Sequence, residues 1–206
     1  MARAADDIAA LVLARARWSD AGVLAELTAL EPLPEEEIFD AEDARSAAAW
    51  ARAKLFVALG DVCATRKLRP AAKLLLGRAS EGDPSEMMRG LRHVLEAIFN
   101  PAWDHLALVC VECMGSPHAG ARMWAADELG RLEEPVGFPA LLAALDDPRA
   151  TVRSNVGTAI GRLCRAHPRL AAAAVTALRT RASRGDAGAF FEETARQIAE
   201  AHGVLS

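Results

Sequence analysis

Apolar residues recur at intervals of four, four and three in two stretches that overlay position by position. They are Ala121, Ala125, Leu129 and Leu132 in one, and Val152, Val156, Ile160 and Leu163 in the other. That spacing draws a single stripe along an α-helix. A related face runs through Met88, Leu91, Leu95 and Ile98 after a slip of one residue, and Leu59-Gly60-Asp61-Val62 closes an earlier helix of the same kind. The segment 190–201 fits as a last copy, with Phe190, Thr194 and Ile198 expected to turn inward. Near the N-terminus, 4–17 and 20–30 read as two further helices, the second capped by Ser19 or Asp20.

Prolines mark where these helices begin. Asp83-Pro84, Ser116-Pro117 and Asp147-Pro148 each pair a capping residue with a proline, and each is followed five residues after the proline by an arginine: Arg89, Arg122 and Arg153. A second series, Pro70, Pro101, Pro135 and Pro168, stands before the apolar runs 71–76, 106–111, 141–145 and 170–178. The two series interleave with a period near 33 residues, so each period holds two helices, an inner one after the first series and an outer one after the second. Pro32-Leu33-Pro34 followed by Glu35, Glu36 and Glu37 breaks the pattern and marks the expected boundary between an acidic N-terminal cap or extension, 1–45, and a repeat array, 46–206.

The stretch from Leu129 through Gly130-Arg131-Leu132-Glu133-Glu134-Pro135 to Asp147-Pro148 and Arg153 resembles the HEAT-like repeat first noted in phycobilisome lyases. The resemblance is fullest over 116–165, extends more loosely over 70–203 and fades before 45. It implies an all-α fold, an α-α superhelix of about four to five helical pairs with the inner helices lining a concave face. It also implies that the repeated arginines bridge neighbouring repeats. Arrays of this kind act mostly as scaffolds, so the expected function is a non-enzymatic protein–protein interaction scaffold or adaptor. Some alkylpurine DNA glycosylases are built on such repeats and supply the alternative, a DNA-binding or DNA-repair protein. No residue argues for a bilin.

Composition supports helix throughout: the 206 residues are 52% hydrophobic, 5% aromatic and lack tyrosine. The net charge of −4 argues against a binder of nucleic acid along its whole length. The charge is unevenly spread. Residues 1–45 hold 11 acids and 4 bases, whereas 148–185 hold 8 arginines and no acid. That segment is the one place where a phosphate backbone or an acidic partner would be expected to bind, the competing reading being helix faces neutralised by acids from other helices. Asp6 and Asp7 fall where a signal peptide needs apolar residues, and no apolar run reaches bilayer length, so a cytoplasmic protein without membrane contact is expected.

No catalytic, cofactor or metal constellation is expected. Cys110-Val-Glu-Cys113 places two thiols on one helix face, but within an outer-helix core pattern, which points to buried thiols rather than a metal site. Gly130 and Gly161 are expected at close helix contacts. Removing the buried register from the inner helices leaves the candidate partner-binding residues: Arg92 and His93 on the first, Met123, Trp124, Asp127 and Arg131 on the second, Ser154, Asn155, Thr158 and Arg162 on the third, and Glu193, Arg196 and Glu200 on the last. Glu128, where the overlay has Ala159, is either paired with an arginine or functional.

Overall fold

The computed structural model describes residues 19–29, 58–77, 85–185 and 188–204, and every regular element among them is helical. The expected helix 4–17, the Pro32–Pro34 break, the boundary at 45 and the Asp83-Pro84 start lie outside the described residues, as do the side chains of Met88 and Arg89. The chain divides into two compact units, Met1–Leu106 and Ala107–Ser206.

In the first unit, α1 spans Asp20–Ala29, α2 spans 58–65, α3 spans Arg69–Gly77 and α4 spans Ser85–Phe99, while α5, Trp103–Cys113, runs across the division. Ser19 is the cap of α1: its hydroxyl accepts the Gly22 amide at 3.2 Å, satisfying one of the free N–H groups of the first turn. Helix α3 packs against both α1 and α4. Val23, Leu27, Leu59, Leu75, Leu76, Leu91, Leu95 and Ile98 are all buried, so the 88/91/95/98 face holds at each of its described side chains. The Arg69 guanidinium lies 2.9 Å from His105 Nδ1 and over the Phe99 ring. A guanidinium can only donate, so Nδ1 is the acceptor there.

The second unit contains α6 (Ala119–Leu132), α7 (Phe138–Ala143), α8 (Ala150–Ala166), α9 (Ala171–Ala182) and α10 (Gly188–His202). The proline pattern places these starts with an offset of one or two residues. Helices α6 and α8 begin two residues beyond Pro117 and Pro148. Ser116 and Asp147 act just outside them: the Ser116 hydroxyl accepts the His118 amide at 3.2 Å, and an Asp147 carboxylate oxygen accepts the Arg149 amide at 2.9 Å. Pro135 and Pro168 open single 3₁₀ turns that lead directly into α7 and α9. The expected run 141–145 is not one helix, because α7 stops at Ala143 and a 3₁₀ turn, Ala144–Asp146, finishes it.

Helix α8 packs on α6 and also on α10. Ala159 meets Gly130 of α6, whereas Gly157 and Gly161, on the opposite side of the helix, face Phe190, Phe191 and Thr194 of α10. Its apolar stripe Val152, Val156, Ile160 and Leu163 is fully buried, and the helix also packs against α7 and α9. On α10 the buried register is Phe191, Ala195, Ile198 and Ala199. This corrects the expected Phe190 and Thr194, which sit one residue off: Phe190 is 36% exposed and meets Phe191 edge-on at 5.3 Å between ring centres.

Candidate functional site

The most strongly built polar feature is a clamp between successive loops of the second unit. Arg122, one turn into α6, donates through Nη1 to the carbonyls of Ser116 (2.9 Å) and Pro117 (3.1 Å) in the loop before its own helix. Its other edge reaches forward to the next such loop. There Nε donates to Asp147 Oδ2 at 2.6 Å and Nη2 to Asp147 Oδ1 at 3.0 Å. This is a bidentate fork on a carboxylate, the pairing that planar guanidinium favours over an ammonium. Arg153 repeats the first half one period later, donating to the carbonyls of Asp147 at 2.7 Å and Pro148 at 3.0 Å. The loop carbonyls are thus satisfied by a side chain.

The two side chains of the clamp are only 11% and 5% exposed. Burial alone would push the Asp147 carboxyl up. The hydrogen bonds from Arg122 and the Arg149 amide, with the charges of Arg122 and Arg153, outweigh it and hold the group below its ordinary 3.8. A depressed carboxylate stabilises the fold above its unfolded pKa, and that contribution disappears as pH falls through the folded value. Asp147→Asn is therefore less stable than wild type at pH 7, and the gap narrows below pH 3.8. Urea midpoints measured from pH 7 to pH 3 give the difference, and a gap independent of pH contradicts the assignment.

The candidate binding residues differ in exposure. Thr158, Glu193, Arg196, Glu200, Ser154 and His93 are exposed as expected. Met123, Trp124, Asp127, Arg131, Asn155, Arg162 and Arg92 are half-buried, so the expectation that these side chains stand free in solvent needs correcting. Several are engaged with one another. Arg162 Nη1 donates to Asp127 Oδ1 at 2.7 Å, tying α8 to α6. Glu128 is completely buried and receives Arg131 Nε at 2.8 Å, so Arg131 is the arginine that pairs with it. A charge at zero exposure persists only when compensated, and this pair supplies that compensation. On α10, Arg196 bridges Glu193 and Glu200, each at 2.6 Å, and Gln197 adds a bond to Glu193.

Several polar side chains on α8 and α10 turn back on their own helices. Thr158 donates to the Ser154 carbonyl, Thr194 to Phe190, and the Asn155 amide to Thr151. What faces outward on α8 is consequently short and smooth: Thr151, Ser154 and Thr158, with Arg165 at the end. Such a strip offers van der Waals contact and a few polar groups, without a nucleophile paired to a base.

Four of the 8 arginines of 148–185 find acids outside the segment. Arg162 pairs with Asp127, Arg179 with Glu192 at 3.4 Å, and Arg181 and Arg184 with Asp146. Arg181 also donates to the Leu145 carbonyl at 2.8 Å and lies over the Phe191 ring. Arg165 and Arg169 have no hydrogen-bond or ion-pair partner among the described residues. Sequence reading could not supply these pairings, because the acids come from loops and helices distant in the chain.

All four cysteines are free and buried. Burial pushes the Cys63 and Cys164 thiols up to about 11 and raises Cys110 well above the ordinary range, with the charges of Glu128 and Cys113 adding to the last and Arg131 opposing it. Among the described residues no group of three or more His, Cys, Asp or Glu side chains is placed to hold a metal ion. The expected result with a thiol reagent at pH 8 is no reaction in the folded protein and release of all 4 equivalents on denaturation. Rapid native reaction at Cys110 or Cys113 contradicts the burial.

A shallow cleft of about 360 Å³ lies beside the clamp, lined by Met114, Gly115, Ala140, Ala143, Ala144, Asp146 and Asp147. Both of its carboxylates are already engaged by arginines. No helix among the described residues is long and apolar enough to cross a membrane. No family model matches the chain, and no curated protein or solved structure shows significant similarity to it.

Proposed function

We propose that the protein is a cytoplasmic, non-enzymatic interaction scaffold, an α-solenoid of HEAT-like helical pairs that holds a protein partner on the face presented by its inner helices. One observation carries the reading: α8 has α6 on one flank and α10 on the opposite flank, leaving a side of α8 made of short polar residues open to solvent. Helices laid side by side in this way offer a continuous surface that an extended segment or a helix can follow without chemistry. The Arg122–Asp147 clamp fits the bridging role that the repeat resemblance gives to these arginines. The Glu128–Arg131 and Arg122–Asp147 pairs account structurally for the two buried carboxylates among the described residues. Reduced, buried thiols suit a reducing compartment.

The nucleic-acid alternative draws less support from the arginine-rich segment than its composition suggests, since Arg162, Arg179, Arg181 and Arg184 pair with Asp127, Glu192 and Asp146.

Site-directed photocrosslinking tests the proposal. A photoreactive amino acid at Thr158, on the inner side of α8, is compared in the native cell with one at Thr176, equally exposed on α9. The expected result is a discrete protein adduct from position 158 and none from position 176. Equal labelling from both, or an adduct only from 176, overturns the assignment of the face. Retention of duplex DNA that falls steeply between low and physiological salt would favour the alternative.

A further inference from the structure

We draw no further inference here: the strongest candidate, the exposed corner between α8 and α9 where Arg165 and Arg169 lack partners among the described residues, carries nothing because the last turn of α8 already accounts for a cation at Arg165 and nothing in the structure shows what covers the corner.

Discussion

Asp147→Ala lowers the unfolding free energy by about 3–5 kcal/mol, the range for removing one partner of a buried ion pair. The reason lies in what the deletion leaves behind. Arg122 is only 11% exposed, and two of its donors point at the missing carboxylate. It can neither return to water nor find another acceptor without giving up the Ser116 and Pro117 carbonyls. The same change strips the Arg149 amide of its acceptor just before α8. Arg122→Ala removes the clamp from the other side and leaves Asp147 with the Arg149 amide and the nearby charge of Arg153. A double-mutant cycle between Arg122 and Asp147 should then show strong coupling, with the double variant much less damaged than the sum of the singles. Chemical denaturation supplies the numbers. Single variants within about 0.5 kcal/mol of wild type would mean that the clamp is an ordinary surface pair.

The second large effect separates two glycines that the repeat places at equivalent positions. A Cβ on Gly130 would sit 2.7 Å from Ala159 Cα and 2.8 Å from Ala159 Cβ. The obstacle is the backbone of a neighbouring helix, so α6 and α8 must separate to admit a methyl. Gly130→Ala is expected to cost about 1–3 kcal/mol, as overpacking does, and Gly130→Val more. At Gly161 the nearest atom is Thr194 Cγ2 at 4.0 Å, an ordinary contact. Gly161→Ala should be neutral or stabilising by up to about 1 kcal/mol, the helix-propensity advantage of alanine in a helix interior. Gly157→Ala falls between them, because its 2.7 Å neighbour is the Phe190 ring edge, which is partly exposed and can swing away. Equal effects at Gly130 and Gly161 would show that α6 and α8 do not approach as described.

The glycine pair also shows what the sequence could and could not disclose. The apolar stripes on α6 and α8 and the helix starts near each proline follow from local spacing and capping chemistry. They reappear in the structure with shifts of one or two residues. The identity of a neighbour does not follow from spacing. Gly130 and Gly161 align, yet one meets a backbone and the other an open threonine methyl. Phe190 and Phe191 are adjacent aromatics, and no periodicity decides which one turns inward. In the structure Phe191 is the fully buried one, with the Arg181 guanidinium over its ring. The candidate binding residues were legible as a set of inner-helix positions, but their exposure was not. Asp127 and Arg162, 35 residues apart in the chain, spend their charges on each other.

The account rests on α6, α8 and α10 lying in a row, with α8 between the other two. Spin labels at Met123→Cys on α6 and Glu193→Cys on α10 read this directly, because the 4 native cysteines are buried and leave labelling to the introduced pair. Pulsed dipolar spectroscopy should give a mean separation near about 20 Å, two interaxial spacings of 8–10 Å. A separation of one spacing, about 10 Å and visible as dipolar broadening, would place α6 against α10 in a closed bundle and contradict the row.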